Sequence, residues 1–132
     1  MNLNAEVKKQ LFKTFEILKT TLSVDQIPEI LSLTSYSVYA EFDAVKTVSS
    51  TGENEILKYF EDFVQRHNLI WVNVPVLKAA AHSFSDILRS LITFYGECTS
   101  TDEFGRQIVD LLQEWVGLNP SSLGSFYSSS ES

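Results

Sequence analysis

The apolar residues of this chain recur mostly at intervals of three and four, which is the period of an amphipathic helix. This pattern predicts helices over residues 3–22, 26–33, 53–67, 76–95 and 102–116. The helix over 76–95 has the broadest apolar surface, so we expect the other helices to pack around it. The sequence therefore predicts a mainly α, single-domain bundle of five to six helices around a central helix 76–95.

Residues that favour helix ends bracket several of these segments. Ser50-Thr51-Gly52-Glu53 has the pattern of a capping box, and Asn68 suits a left-handed position after the same helix. We expect Gly96 to close the central helix. The last helix has capping residues at 100–103, and Gly117 is expected to end it.

Residues 34–49 are ambiguous between helix and strand. Apolar and polar residues alternate over part of this stretch, which is the period of a half-buried strand. Helical spacing is also satisfied, by Val38, Phe42, Val45 and Val48. We favour helix, because no tight hairpin partner is nearby. The alternative is an α+β fold with a small sheet from 36–48 and 69–74, and in the helical fold the apolar connector 69–72 must be a buried crossover.

The last fourteen residues differ in composition from the helical domain over 1–118. Seven of residues 119–132 are serine, which predicts a flexible tail. Phe126 and Tyr127 form an adjacent aromatic pair within it. They are either incidental or a short docking element that becomes ordered when a partner binds.

Charge is distributed unevenly along the chain, whose formal net charge is −7. Residues 1–24 carry four lysines against two glutamates, whereas residues 25–132 carry six basic against fifteen acidic side chains. A basic first helix on an acidic body favours partners with a basic surface. Nucleic acid is not expected, because phosphate binding requires a basic surface of larger extent.

Few residues have the chemistry of a catalytic or metal site. Cys98 is the one cysteine, and the two histidines are not at metal-ligand spacing. His67 in the last turn of its helix suits a charge–dipole role. His82 and Asp86 are four residues apart, as in half of a nucleophilic relay, but we interpret them as part of a surface charge ladder. We therefore expect no enzymatic activity, no metal and no cofactor.

The sequence also bears on the compartment. No apolar run approaches the roughly 20 residues that a membrane-spanning helix needs. The first 22 residues contain lysine and glutamate every few positions, unlike a secretory signal. We expect a cytoplasmic protein.

These patterns together favour a non-enzymatic, acidic protein–protein interaction module, such as an adaptor, an inhibitor or immunity factor, a chaperone or an assembly subunit. A homodimer is a further expectation, because the helix over 76–95 is so apolar. The alternative is a small-molecule-binding domain with an aromatic pocket lined by Trp71, Tyr36, Tyr39, Phe84 and Tyr95, and with His82 or Arg89 at its polar end. The candidate binding residues are Phe126, Tyr127, Trp71, Tyr36, Tyr39 and His82.

Overall fold

The computed structural model describes residues 5–119, and this part of the chain consists of helices and their connections, without a strand. Its elements are α1 (Ala5–Leu18), α2 (Gln26–Ala40), α3 (Phe42–Thr51), α4 (Glu53–Arg66), α5 (Val74–Glu97) and α6 (Thr101–Leu118). The prediction of a mainly α bundle is confirmed, and the alternative sheet over 36–48 and 69–74 is wrong. Of the predicted tail 119–132, only Asn119 is described, so Phe126 and Tyr127 lie outside the described residues.

The central element is α5, which contacts each of the other five helices. Its buried side chains are Ala80, Ser83, Phe84, Ser85, Ile87, Leu88, Leu91 and Phe94. Neighbours therefore cover α5 within one chain. Most of the apolar surface from which we expected a homodimer is used inside the bundle, whereas Val74 at the start of α5 is 62% exposed.

The ambiguous stretch 34–49 is helical on both sides of a break at Glu41. The second helix runs on to Ala40, seven residues past its predicted end, and α3 follows at Phe42. Buried hydroxyl groups at the start of this stretch show that its polar residues do not mark an exposed face. Thr34 donates its hydroxyl hydrogen to the Ile30 carbonyl at 2.7 Å, and Ser35 donates to the Leu31 carbonyl at 2.7 Å. Because the helix's own carbonyls satisfy these groups, polar residues occupy the buried face.

The predicted N-terminal caps differ in outcome. Ser100 caps α6 as expected, with its Oγ accepting from the Glu103 amide at 3.1 Å. Asn73 caps α5, which begins at Val74, two residues before its predicted start, and the Asn73 side chain accepts from the Val76 amide at 3.1 Å. The capping box at 50–53 is wrong, because the N-cap of α4 is Gly52, which has no side chain to accept a hydrogen bond.

The predicted C-terminal ends also differ in outcome. Asn68 has a φ of 54°, the left-handed conformation expected after α4. Gly96 and Gly117 instead lie inside α5 and α6, which end at Glu97 and Leu118. The first helix ends at Leu18 rather than at residue 22, although Leu22 is still buried. Glycine alone therefore did not stop a helix that remained packed.

Aromatic rings join the helices at two points in the core. The Phe84 ring of α5 stacks on Phe60 of α4, with centroids 4.2 Å apart. Phe15 of α1 contacts Trp115 of α6 edge-on at 5.1 Å. These contacts attach α4 to α5 and α1 to α6. None of the helices within residues 5–119 combines the length and the hydropathy that crossing a bilayer requires.

We expect Phe84→Ala to lower the free energy of unfolding by about 3–5 kcal/mol, because the substitution leaves a cavity between α4 and α5. Chemical denaturation followed by circular dichroism measures this change. Ile17→Ala is the control, since the Ile17 side chain is 53% exposed and surface substitutions usually change stability by less than about 0.5 kcal/mol. Equal effects of the two variants would contradict the central position of Phe84.

Glu103 provides a pH-dependent contribution at the start of α6. The carboxylate is buried, and it accepts hydrogen bonds from the Thr99 hydroxyl and from the Thr99 amide, the latter at 2.9 Å. These bonds favour the charged form and hold the pKa of Glu103 below its usual 4.5. A depressed pKa in the folded state stabilises the fold above pH 4.5, and this stabilisation is lost as the pH falls through the folded pKa.

We expect Thr99→Ala to raise the pKa of Glu103, because one donor to the carboxylate is removed. Carbon-detected NMR titration of the glutamate carboxyl groups measures this shift. Thr93→Ala is the matched control, since the Thr93 hydroxyl bonds to the Arg89 carbonyl within α5. An unchanged Glu103 titration in Thr99→Ala would show that the hydrogen bond from the Thr99 hydroxyl is not a cause.

Candidate interaction surface

Two tyrosines selected from the sequence lie together on α2. The rings of Tyr36 and Tyr39 meet edge-on, with centroids 5.2 Å apart, and the Tyr39 ring contacts Phe104 of α6 at 6.4 Å. Phe104 is fully buried, Tyr39 is half-buried, and Tyr36 is 56% exposed. A buried aromatic base therefore holds an exposed tyrosine ring at the surface.

The neighbouring helix α6 also exposes apolar area. Val109 is 51% exposed, and Leu112 and Val116 are half-buried on the same side of the helix, at spacings of three and four. Helices α2 and α6 pack against each other. We call Tyr36, Tyr39 and Val109 the α2–α6 face.

The stretch of chain that contains Tyr36 carries acidic and no basic side chains. Residues 20–45 contain no lysine or arginine, and their carboxylates are all exposed: Asp25, Glu29, Glu41 and Asp43. Glu41 is paired with Arg66 of α4 at 3.4 Å. Helix α6 contributes exposed Asp102 and Asp110, with Arg106 as its one basic residue. An aromatic ring in such surroundings favours a cationic group over an anionic one.

His82 lies in a surface cluster of ion pairs that joins α4 to α5. Its side chain is 78% exposed, with Nδ1 4.0 Å from a Glu53 carboxylate oxygen and Nε2 3.8 Å from an Asp86 oxygen. Arg89 Nη2 lies 3.3 Å from the other Glu53 oxygen. Glu53 was not selected from the sequence, because its partners are on another helix.

No hydroxyl or thiol nucleophile accompanies His82 in this cluster of described residues. The neighbouring Ser83 and Ser85 are both buried on the inner side of α5. Residues 5–119 also contain no group of three histidine, cysteine, aspartate or glutamate side chains arranged to hold a metal ion. The geometry agrees with a surface charge ladder, now extended across two helices.

The five residues of the alternative aromatic pocket fall into three groups: Tyr36, Tyr39 and Tyr95 are linked through Phe104, whereas Phe84 and Trp71 lie apart from them. Phe84 packs in the core against Phe60 and Phe63, whereas Tyr95 contacts Phe42 and Phe104. Trp71 is half-buried against the core on the α4–α5 connector. A groove of about 530 Å³ lies elsewhere, and its lining residues are Tyr59, Asp62, Gln65 and Arg66.

The α4–α5 connector differs from the buried crossover that we expected. Leu69 is buried and Trp71 is half-buried, but Ile70 is 84% exposed. The backbone turns back after Asn68, with the Leu69 amide donating to the Val64 carbonyl and the Val72 amide to Leu69, both at 3.0 Å. This turn directs neighbouring apolar side chains to opposite sides, which hydropathy alone does not reveal.

The basic helix α1 is partly neutralised within the chain. Lys8 Nζ lies 3.1 Å from a Glu114 oxygen of α6, and Lys19 Nζ lies 3.5 Å from Glu16 and above the Trp115 ring. Lys9 and Lys13 are exposed. Part of the positive charge of α1 thus contributes to the packing of α1 on α6, and the rest remains on the surface.

His67 at the end of α4 loses its proton more readily than a free histidine does. Burial and the neighbouring Arg66 lower the pKa of His67 below its usual 6.5, while Glu41 opposes them. The ring packs against Phe63 at 4.7 Å. This environment disfavours the charged form that the expected charge–dipole role requires.

We expect the folded protein to lose stability as the pH falls below 6.5, because unfolding allows His67 to bind a proton more readily. Urea unfolding at a series of pH values measures this loss. In His67→Gln, the pH dependence between neutrality and the folded pKa should become smaller. A variant with the wild-type slope would assign the dependence to other groups.

Comparisons with known proteins found no similar protein. No protein-family model matches the chain, and no match was found among curated proteins or solved structures. Function is therefore argued from the surfaces of the chain itself.

Proposed function

We propose that this chain is a non-enzymatic protein–protein interaction module that binds the basic surface of another protein through the α2–α6 face. The observation that carries the proposal is Tyr36, an aromatic ring 56% exposed within a stretch that lacks any basic residue. Exposed aromatic rings are enriched at protein interfaces because they combine apolar area with few rotatable bonds.

The geometry around Tyr36 favours binding in three ways. The edge-on contact with Tyr39 restricts the ring before a partner arrives, which reduces the entropy lost on binding. A lysine or arginine above the ring gains about 0.5–2 kcal/mol from the cation–π interaction. The surrounding carboxylates attract a basic partner over distance and increase the association rate.

This mode of action fits an adaptor, an inhibitor or immunity factor, a chaperone or an assembly subunit, all of which act by contact. The net charge of −7 supports a basic rather than an acidic partner. We propose a cytoplasmic setting, which suits a chain with a single cysteine, because a reducing compartment keeps such a thiol free.

A designed peptide with lysine on one helical face and leucine on the other tests this proposal. We expect it to bind the protein more weakly as salt increases, and Tyr36→Ala to weaken binding about tenfold, equivalent to about 1.4 kcal/mol. Fluorescence anisotropy of the labelled peptide measures affinity, and amide chemical shifts locate the contact on α2 and α6.

The controls separate the aromatic contact from general charge attraction. Ile17→Ala removes a side chain of similar exposure, 53%, from the basic helix and should leave the affinity unchanged. The same peptide with glutamate in place of lysine should not bind. Equal peptide affinity of wild type and Tyr36→Ala, or shifts confined to other helices, would refute the proposed face.

A further inference from the structure

His67 lies where α4 ends and the chain turns toward α5. Its amide donates to the Phe63 carbonyl at 3.0 Å, as in a helix, whereas the Leu69 amide donates back to the Val64 carbonyl at 3.0 Å. Asn68 between them is left-handed, with a φ of 54°. The His67 ring is therefore next to the residues that reverse the direction of the chain.

One nitrogen of the His67 ring is buried without a hydrogen bond. The Nε2 atom is removed from solvent and has no partner among the described residues, and the ring packs edge-on against the buried Phe63 at 4.7 Å. A neutral imidazole carries a hydrogen on one nitrogen only, whereas the charged ring carries a hydrogen on both and donates from both. The charged ring therefore needs an acceptor at Nε2 that the packed structure does not provide, and a buried donor without an acceptor is unfavourable.

Arg66 and Glu41 are the charged groups that act on the His67 ring. Arg66 precedes the ring on α4 and repels a positive charge, whereas Glu41 between α2 and α3 attracts one. The Glu41 carboxylate is already paired with Arg66, whose Nη1 lies 3.4 Å from it. Burial and Arg66 together outweigh Glu41, so the pKa of His67 lies below its usual 6.5. A proton on the buried ring is thus opposed by its charged surroundings as well as by its missing acceptor.

We propose that His67 is a pH switch: when its ring takes up a proton, the ring leaves its buried position and the turn between α4 and α5 opens while the helices stay packed. The opening is local because this segment is less deeply packed than α5. Ile70 is 84% exposed, and Trp71 and Val72 are half-buried. Segments with few buried contacts open at a lower free energy than the whole fold.

The hydrogen bonds of the turn are what the switch releases. They join the Leu69 amide to the Val64 carbonyl and the Val72 amide to the Leu69 carbonyl, both at 3.0 Å. Asn73 follows and caps α5 with its side chain, which sets the far limit of the opening. Leu69, now 2% exposed, and the half-buried Trp71 would enter water. Acid would thereby change the apolar surface that the α4–α5 connector presents.

Acid favours the open turn because the ring binds a proton more tightly there. In the open turn the ring is in water and titrates near the usual pKa of 6.5, whereas in the closed turn its pKa is lower. The closed turn is therefore favoured most above pH 6.5, and this preference decreases as the pH falls from 6.5 to the pKa of the closed state. Uptake of one proton changes the opening constant by no more than about tenfold per pH unit.

Amide hydrogen exchange of the full chain, followed by NMR between about pH 7.5 and about pH 5.5, tests the proposal. After correction for the intrinsic exchange rate, protection of the Leu69 and Val72 amides should fall about threefold to tenfold over this range. Low urea concentrations should not change the exchange of these amides, because a local opening exposes little surface. The amide of Leu88, in the middle of α5, should respond to urea because it exchanges when the bundle unfolds.

Three variants identify the group that senses the proton. His67→Gln keeps a polar side chain that does not titrate, so protection of Leu69 should become independent of pH. His82→Gln is the matched control, because it removes the other histidine, whose side chain is 78% exposed, and it should retain the wild-type pH dependence. Arg66→Gln removes the neighbouring cation and leaves Glu41 to the charged ring, so it should reduce the pH dependence.

Each other outcome overturns the proposal. Equal urea sensitivity of the Leu69 and Leu88 amides would show that acid acts on the whole bundle. A pH dependence that persists in His67→Gln, or that vanishes in His82→Gln, would assign the proton to another group. If His67→Gln does not fold, Arg66→Gln decides instead, since Arg66 is exposed, and an unchanged pH dependence in that variant contradicts the switch. Tyr36 is not part of the switch, so these results are independent of peptide binding at the α2–α6 face.

Discussion

Burial of α5 by five other helices is the constraint on which the rest of the structure depends. One helix of 24 residues supplies a large share of the core, so each outer helix is positioned by the side of α5 that it covers. Apolar surface removed from water stabilises by roughly 25 cal/mol per Å². The outer helices are therefore held by this shared burial more than by surface ion pairs such as Lys8–Glu114, whose exposed geometry is worth little.

Burial of the core also accounts for the way in which polar residues are accommodated inside the bundle. Thr34 and Ser35 donate their hydroxyl hydrogens to carbonyls of their own helix, so α2 tolerates them in the interior. Small side chains such as Ala80 and Ser83 on α5 occupy little volume where a neighbouring helix packs closely. Polarity in this core reflects close helix packing, and the described residues show no catalytic arrangement around these buried hydroxyl groups.

The surface left by this packing has two regions of opposite character. Tyr36 is an exposed aromatic ring in a stretch whose charged side chains are all carboxylates, which is the basis of the proposed cationic partner. Ile70 is an exposed apolar side chain in a stretch of sequence without carboxylates. The overall net charge of −7 hides this division, because it averages the acidic α2 region with the stretch 63–85.

The sequence by itself determined the helical class and the central position of the helix near 76–95. It also showed that acidic residues lie near Tyr36 and Tyr39 along the chain. These features can be read from the sequence because periodicity and local charge depend on near neighbours in the chain. It did not determine that 26–33 continues to Ala40, that other helices cover most of the apolar surface of α5, or that Glu53 meets His82 and Arg89. Those features depend on contacts between distant segments. The exposure of Ile70 was decided in the same way: one left-handed residue at Asn68 turned the chain, and only the packed bundle determined which side of that turn faced water.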